Sequence, residues 1–366
     1  MTQRRKFIQQ LTLGLASVFS FAAFSQKNKT TMSNNNLIRR IKPLGFQWET
    51  ADPFLFCVHH EDYFPKGNTA LGPVSGLEGR QLGQDFIVKD GYRMYHGTTV
   101  PGFPGHPHRG FETITVVRKG LVDHADSMGA AGRYGNGDVQ WMTAGKGVQH
   151  AEMFPLLKQD EENPLELFQI WLNLPAKNKF VEPHFKMLWS ETVPKITTAA
   201  YELEVLVGTF DNRHAQSGPP NSWASDPKNE VAIWNINLQS NSEITLPPAS
   251  TGINRTLYIY EGNGLQLGDK EIPYYHAVEV KEDELLHLKS GAESIKILVL
   301  QGRPIGEPVV QHGPFVMNTR EEIYAAFNEY QQTQFGGWPW PRYDQVHDPK
   351  LGRFAKHADG TLETKG

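Results

Sequence analysis

The sequence is nearly without cysteine. Cys57 is the single thiol among 366 residues, so an intrachain disulfide is excluded. It stands in the apolar run FLFCV, residues 54–58, where a cysteine behaves as a small apolar side chain. We therefore expect Cys57 to be a buried and unreactive thiol.

The chain also lacks an excess of positive charge. It has 36 basic and 40 acidic residues, a formal net charge of −4. Removal of a leader after Ser25 would take away three basic residues and no acidic one, and would leave a net charge of −7. Because proteins that bind nucleic acid usually have a basic surface, we expect no nucleic-acid partner.

A long apolar run is missing too. The candidate nearest to one covers about residues 11–24, which is too short for a typical transmembrane helix. It follows Arg4, Arg5 and Lys6 and ends just before Ser25, an arrangement that resembles a twin-arginine export signal, an address rather than an anchor. An uncleaved anchor and an ordinary secretory signal are the alternatives. We predict an export signal and flexible leader over residues 1–36. The mature protein would then be periplasmic, with no stable membrane association after cleavage.

Turn-forming residues and short apolar runs are abundant instead. The chain contains 34 Gly and 24 Pro, which favour many turns and short strands over long helices. Short runs such as residues 113–117 and 168–174 recur between clusters of Gly, Pro, Asn and Asp. In the second run alternate apolar residues, beginning with Phe168 and Ile170, would share one face. Such runs are typical of an all-β sandwich or barrel.

The short runs form two halves, separated by the polar, Pro-bearing stretch AKNKFVEPHF. Residues 256–262 resemble residues 113–120, since in both a strand ends at a Gly-centred turn. This similarity indicates two related barrels in tandem. We therefore predict an all-β fold with an N-terminal barrel over residues 37–180, a C-terminal barrel over residues 181–335, and a tail over residues 336–366.

One helix is expected near the C-terminus, over residues 319–334. Thr319 and Glu322 fit a capping box, and an apolar stripe runs from Ile323 to Tyr330. We expect this helix to pack against a barrel without a chemical role. The last dozen residues of the tail are expected to be loose.

Two pairs of possible metal ligands are the most informative feature of the chain. His106 and His108 flank Pro107 in PGHPHRGFET, and His150 and Glu152 stand near the end of GDVQWMTAGKGVQHAE. Side chains two residues apart on a strand project from the same face, so two adjacent strands can direct four donors at one point. Three imidazoles and a carboxylate suit iron, copper, zinc or nickel. A lone His-x-His pair is weak evidence, but two pairs in one predicted barrel indicate a metal site.

The segments HPHRGFET, GDVQWMTAGKGVQHAE, FQIWLNLPAKNK and GPFVMNTREEI resemble the pirin family of the cupin superfamily, and the resemblance extends over nearly the whole chain after Leu37. Pirins are bicupins, with two antiparallel β-barrels in one chain and iron in the N-terminal one. The resemblance implies that His106, His108, His150 and Glu152 hold Fe(II), with Mn, Ni, Cu or Zn as alternatives. It also implies a metal-free, structural C-terminal barrel.

Glu112 is the alternative carboxylate. General cupins often place a ligand carboxylate four residues after the His-x-His pair, and this position is Glu112 here. The pirin pattern assigns that role to Glu152, which we follow. We expect Glu112 to have a structural role or to support a ligand.

The remaining histidines show no ligand spacing. His59 and His60 are adjacent, so on a strand they would point to opposite faces. These residues are interpreted as ordinary polar or surface histidines: His59, His60, His96, His124, His184, His214, His276, His312, His347 and His357.

The resemblance further implies an activity of the quercetin 2,3-dioxygenase type. Its substrates would be a flavonoid-like aromatic compound and dioxygen, and Glu152 would act as general base if it leaves the metal. The alternative is a non-catalytic, iron-binding protein with a redox-sensing or regulatory role. A different cupin reaction, on another aromatic or sugar substrate, is a third hypothesis, since cupin barrels carry many chemistries. We expect the protein to be a monomer.

Overall fold

The computed structural model describes residues 37–365, and most of its regular structure consists of short antiparallel strands. The predicted export signal and leader, residues 1–36, lie outside this part of the chain. The strands of the first half are β1 (Ile38–Pro43), β2 (Gln47–Trp48), β3 (Phe54–Phe64), β4 (Gly102–His108), β5 (Phe111–Lys119), β6 (Leu121–Asp126), β7 (Ala131–Gly135), β8 (Val139–Thr143), β9 (Val148–Met153), β10 (Asn163–Asn173) and β11 (His184–Leu188).

The second half adds sixteen strands and the helix. The strands are β12 (Lys195–Thr197), β13 (Tyr201–Val207), β14 (Thr209–Phe210), β15 (Arg213–His214), β16 (Ala232–Leu238), β17 (Glu243–Leu246), β18 (Asn254–Glu261), β19 (Leu265–Leu267), β20 (Lys270–Ile272), β21 (His276–Val280), β22 (Leu286–Lys289), β23 (Ile295–Gly302), β24 (Val310–His312), β25 (Phe315–Met317), β26 (Arg353–Lys356) and β27 (Leu362–Lys365). Helix α1 covers Arg320–Thr333. Short 3-10 turns cover Ala176–Asn178, Ser190–Thr192, Trp223–Ser225, Pro227–Asn229 and Gln334–Gly336.

Two six-stranded antiparallel sheets form the first barrel. Their strand orders are β11-β8-β5-β10-β3-β2 and β27-β26-β7-β6-β9-β4. Part of the interior is filled by a cluster that includes Val117, Tyr134, Leu165 and Phe185. Cys57 on β3 is fully buried and unbonded, as predicted.

A seven-stranded and a four-stranded sheet form the second barrel. Their orders are β1-β21-β18-β23-β16-β13-β12 and β17-β22-β19-β20. Its core includes Trp234, Leu257 and Ile297 of the larger sheet and Leu246 and Leu288 of the smaller one. Two tandem barrels with a short C-terminal helix confirm the predicted all-β architecture.

Strand β10 is buried on both faces because it lies between the second barrel and a pocket in the first. Phe168 and Ile170 pack in a cluster shared with strands β16 and β23 of the second barrel. The alternate residues Leu167, Gln169 and Trp171 line the pocket on the other side. The predicted shared face of this strand is therefore the contact between the barrels.

Each end of the described chain pairs with the barrel that is more distant from it in sequence. Strand β1 lies in the range predicted for the first barrel, yet it pairs with β21 of the second. Strand β26 comes from the predicted tail, and it pairs with β7 of the first barrel. The domain boundaries themselves stay a prediction.

The C-terminal tail is docked on the first barrel. Strands β26 and β27 form a hairpin, so the expectation of a loose final segment is wrong. The guanidinium of Arg133 on β7 binds the carboxylate of Asp123, with N–O distances of 2.7 and 2.8 Å. The same guanidinium donates to the carbonyl oxygens of His347, Asp348 and Leu351 in the tail. A buried arginine with all these acceptors fixes the tail in a way that composition does not reveal.

Helix α1 begins at the predicted capping box. The Thr319 hydroxyl accepts from the Glu322 N–H at 3.2 Å, and the Glu322 carboxylate accepts from the Thr319 N–H at 2.9 Å. On the buried side of the helix, the Tyr330 hydroxyl donates to the side chain of Gln149 on β9 at 2.9 Å. The helix therefore supports a strand of the first barrel. Among residues 37–365, no helix is long and apolar enough to cross a membrane.

Candidate metal centre and its pocket

The two predicted ligand pairs lie on neighbouring strands. Strands β4 and β9 are antiparallel, and His106 is opposite His150 in their register. The register shifts at Pro104 and Gly105, and a bulge tolerates a proline because a bulged residue need not donate to the ladder. Beyond this bulge, His106 and His108 lie on the side of β4 that faces the His150 ring.

Two glycines shape the loop that leads into β9. Gly145 and Gly147 have φ values of +48° and +134°, which side chains with a Cβ rarely adopt. A Cβ at Gly145 would also lie 2.1 Å from the carbonyl oxygen of Val181, and one at Gly147 would lie 2.7 Å from the ring of Phe335. Glycine therefore lets this loop pass close beneath two neighbouring segments before the strand that carries His150.

The imidazoles of His106, His108 and His150 converge. Their ligand nitrogens lie within 4.8 Å of one another, and the Nε2 atoms of His106 and His108 are 3.1 Å apart. The ring centroid of His150 lies 4.5 Å from that of His106 and 4.8 Å from that of His108. Within the described residues, this is the one group of three such side chains close enough to share an ion. That the second barrel is metal-free stays a prediction.

Hydrogen bonds determine which ring nitrogens carry protons. His106 Nδ1 lies 3.0 Å from the carbonyl oxygen of Pro104, and His108 Nδ1 lies 3.4 Å from that of Pro314. A carbonyl oxygen only accepts, so each Nδ1 carries the proton and each Nε2 has a free lone pair. His150 has no hydrogen-bond partner at either nitrogen. Adjacent lone pairs repel one another unless a cation lies between them, so this donor set fits a metal ion.

Burial keeps the three imidazoles neutral. It lowers the pKa of His106 to about 4, and it holds the pKa values of His108 and His150 well below the ordinary value for histidine. The neutral imidazole is the form that binds a metal ion. All three rings are therefore competent ligands at neutral pH.

The carboxylate of Glu152 lies beside the imidazole cluster. Its Oε2 is 3.9 Å from His150 Nε2 and accepts from the Gln169 amide at 2.9 Å. Its Oε1 accepts from the hydroxyl of Thr115 at 2.8 Å and from that of Tyr134 at 3.4 Å. Burial raises the pKa of Glu152, and these hydrogen bonds oppose the rise. Its role as the fourth ligand stays a prediction, with Oε2 as the oxygen nearer to the imidazoles.

Glu112 has other neighbours. Its carboxylate accepts from the Thr143 hydroxyl at 2.7 Å and from the Ser222 hydroxyl at 2.5 Å. Ser222 lies in the connection between β15 and β16, so this carboxylate links the first barrel to the second half of the chain. Burial raises the pKa of Glu112 to about 7. These contacts fit the structural role expected for it.

A pocket lined by aromatic rings opens onto the imidazole cluster. Its aromatic walls are Phe46, Phe56, Phe86, Phe103, Phe154 and Trp171. Trp171 stacks on Phe111 with ring centroids 3.9 Å apart, and both rings lie against the edge of His108 at 5.2 and 5.0 Å. Pro314, which precedes β25, lines the same pocket. The second half of the chain thus closes part of a pocket in the first barrel.

Three histidines at or near the pocket were missed by the sequence analysis. His60 and His96 line the pocket. His124 is fully buried, with its ring centroid 5.6 Å from that of His150 and its Nε2 3.1 Å from the Asp126 carboxylate. A surface position is therefore wrong for these three histidines. No spacing marks them, because segments far apart in sequence bring them to the pocket.

The adjacent histidines of β3 do point to opposite faces, as predicted. His59 stacks on Phe168 at the contact between the barrels, with centroids 4.7 Å apart. His60 turns to the pocket instead. Only one of the two can therefore reach a bound molecule.

Two antiparallel barrels in one chain, with a histidine cluster suited to a metal in the first, define a bicupin. The pirin family model matches residues 47–172, and the pirin C-terminal cupin domain model matches residues 233–336. The chain therefore belongs to the pirin family.

Curated relatives carry two kinds of name. The chain is 39% identical over 235 residues to a Pseudomonas aeruginosa protein named "Putative quercetin 2,3-dioxygenase", covering 63% of this chain and 79% of that protein. It is 37% identical over 240 residues to Pirin-1 of Arabidopsis thaliana, covering 64% and 78%. Among solved structures, a quercetin 2,3-dioxygenase from Acinetobacter baumannii has the same fold, with a TM-score of 0.64 at 24% identity over 82% of this chain and 96% of that one.

Proposed function

We propose that this protein is a metal-dependent dioxygenase of the quercetin 2,3-dioxygenase type, with iron held by His106, His108, His150 and Glu152. The observation that carries the proposal is the convergence of three imidazoles at a pocket walled by aromatic rings. The name of the Pseudomonas aeruginosa relative supports the same reaction class. In this reaction dioxygen adds across the heterocycle of a flavonol, which then breaks open with loss of carbon monoxide.

Iron fits the donor set, and manganese, nickel, copper or zinc would fit it as well. When bound, such an ion supplies Lewis acidity that lowers the pKa of a substrate hydroxyl, together with open coordination positions. The choice among these metals is part of the proposal. If the chain is exported after folding, as a twin-arginine signal implies, loading in the cytoplasm would protect iron from competition by copper and zinc.

Glu152 is the residue we propose as general base. Its Oε1 lies 2.8 Å from the hydroxyl oxygen of Thr115, and this oxygen is also 2.5 Å from Gln169 Oε1. One hydroxyl proton can serve only one of these acceptors. When Glu152 is ionised, Thr115 donates to it. When Glu152 takes the substrate proton on Oε1, it donates to Thr115, which turns its own proton to Gln169. A buried carboxylate can therefore gain a proton here without losing its hydrogen bond.

The aromatic walls would bind the flat rings of a flavonol and limit water near the reacting atoms. Phe103 lies 6.3 Å from His106 between ring centroids, and Phe154 lies 6.1 Å from Phe103. Trp171 and Phe111 pack against His108 from another side. A ligand between these rings would replace water contacts by stacking, which is the usual basis of binding in such pockets.

For the direct test, the protein is first loaded with iron or manganese in the absence of oxygen. Oxygen is then admitted, and oxygen uptake and quercetin bleaching are measured. Stoichiometric oxygen consumption with release of carbon monoxide is expected. If the protein retains metal but consumes no oxygen with either ion, the dioxygenase proposal is wrong. A change of partner binding on oxidation of the iron would then favour the redox-sensing alternative.

A pair of threonine variants tests the proton path. Thr115→Val should lower kcat about 10- to 100-fold with metal content unchanged, because Glu152 then loses the group that responds to its protonation. Thr113→Val is the matched control, since the Thr113 hydroxyl is buried on the same strand and has no hydrogen-bond partner. Equal activity of the two variants would exclude the proposed path.

A further inference from the structure

The pocket has a second polar region, separate from the imidazole cluster. His60 and His96 line it beside the aromatic walls. Their ring centroids lie 6.0 and 5.8 Å from the ring of Phe103, which itself lies 6.3 Å from His106. Both histidines are therefore neighbours of Phe103, which is in turn a neighbour of His106. The proposed function gives neither of them a role.

A chain of buried hydrogen bonds fixes the proton on His60. The Asp62 carboxylate accepts from the Arg93 guanidinium at 3.0 and 3.2 Å and from the Arg93 N–H at 2.8 Å. The Tyr95 hydroxyl donates to the same carboxylate at 2.5 Å. Its single proton is thus used, so Tyr95 must accept from His60 Nδ1, which lies 2.8 Å away. The Nε2 of His60 therefore carries a lone pair and no proton.

A single backbone group fixes the tautomer of His96 in the same way. Its Nδ1 lies 2.9 Å from the carbonyl oxygen of Gly83. Because that oxygen only accepts, Nδ1 carries the proton and Nε2 is again an acceptor. Two imidazoles on separate segments thus have the same tautomer. Burial supports this state by lowering the pKa of each ring, so both rings are neutral at neutral pH.

The aromatic neighbours hold the two rings in position. Phe86 meets His96 edge-on at 4.9 Å, and Phe46 meets His60 edge-on at 6.0 Å. The aromatic side chains around these two acceptors bring no donor of their own to the pocket. A ligand that is flat and apolar across its rings, with hydrogen-bond donors at the end that meets these two acceptors, would therefore fit.

We propose that His60 and His96 form an acceptor pair that binds phenolic hydroxyl groups on the substrate ring remote from the metal. The substrate class is then an aromatic compound with hydroxyls at both ends, one at the imidazole cluster and others at this pair. This inference rests on the proposed function for the orientation of the substrate, whereas the acceptor pair itself is defined by the hydrogen bonds above.

Binding without turnover tests the pair independently of the reaction. The protein is loaded with zinc, which has no redox chemistry, and kept without dioxygen. Affinities are measured for three flavonols that differ only in the pendant ring: quercetin with two hydroxyls, kaempferol with one, and galangin with none. The wild type should bind quercetin more tightly than galangin by about 3- to 10-fold for each hydroxyl bound.

Three variants locate the effect. His60→Phe and His96→Phe keep an aromatic ring but remove the acceptor, so quercetin should fall towards the affinity of galangin while galangin changes less than about twofold. His59→Phe is the matched control, because this neighbour on the same strand faces the barrel contact instead of the pocket. It should leave the order of the three ligands unchanged. If His60→Phe does not fold, His96→Phe alone decides.

The possible outcomes separate this inference from the proposed function. Equal binding of quercetin and galangin by the wild type would overturn the acceptor pair, even if iron-loaded protein oxidises both. Equal weakening of all three ligands in the variants would also overturn it, since that result indicates a packing role. A preference of the wild type for quercetin that the two phenylalanine variants lose, without any oxygen consumption by the iron-loaded protein, would uphold the pair and reject the dioxygenase.

Discussion

Glu112→Gln is the substitution that distinguishes the two candidate carboxylates. Glu112 is fully buried and accepts from Thr143 and Ser222, and burial raises its pKa from 4.5 to about 7. This rise corresponds to about 3 kcal/mol of folding free energy. Since the folded state prefers the protonated carboxyl, its contribution is fully present below about pH 4.5 and is lost as the pH rises through about 7. Glutamine has no such titration. The unfolding free energy of the variant minus that of the wild type should therefore increase by up to about 3 kcal/mol between acid pH and pH 8.

The assay is denaturant unfolding of wild type and variant at several pH values, followed by elemental analysis of each preparation. Glu204→Gln is a control of opposite sign. Burial alone would raise the pKa of Glu204, but Arg118 and Lys195 lower it, so this variant should be less stable than the wild type near neutral pH and the difference should shrink in acid.

Two results would contradict the role given to Glu112. Parallel pH curves for wild type and Glu112→Gln would show that the carboxyl is not perturbed as described. Loss of metal from Glu112→Gln, with metal retained in Glu152→Gln, would show that Glu112 is the fourth ligand.

Other substitutions test separate features of the protein. Loss of a residue that only hydrogen-bonds to a metal ligand typically weakens metal binding about 10- to 100-fold. His150→Ala removes a ligand itself, so it should weaken metal binding by more than this, with the circular dichroism spectrum unchanged. Stoichiometric metal in this variant would contradict the site. Thr319→Ala should lower the unfolding free energy by about 1 kcal/mol, because the capping box is lost; an unchanged denaturation midpoint would argue against it. Replacing Arg4 and Arg5 by lysine should keep the protein in the cytoplasm, as seen by cell fractionation, whereas continued export would exclude a twin-arginine signal.

Local patterns in the sequence predict the parts of the fold that depend on neighbouring residues. The spacing of His106 and His108 predicts a shared face, and the structure brings these rings to His150. Alternation along residues 168–174 predicts a buried strand face. The capping box at Thr319 predicts the start of the helix, since it needs only residues within one turn.

Features that depend on contacts between distant segments could not be predicted in this way. Pro314 reaches His108 across 206 positions of the chain, and nothing near either residue announces that contact. His60 is joined to Tyr95 across an irregular connection, so its place in the pocket follows from tertiary structure alone. Strand β1 pairs with the second barrel and strand β26 with the first. The pairing partner of such a strand depends on packing rather than on local propensity.

Metal binding by the imidazole cluster is tested most directly by an anomalous-scattering crystal structure of the iron-loaded protein, collected at the iron absorption edge. One strong peak is expected in contact with the Nε2 atoms of His106, His108 and His150, at the end of the aromatic pocket. A fully loaded crystal with no peak there, or with the iron bound elsewhere, would contradict it.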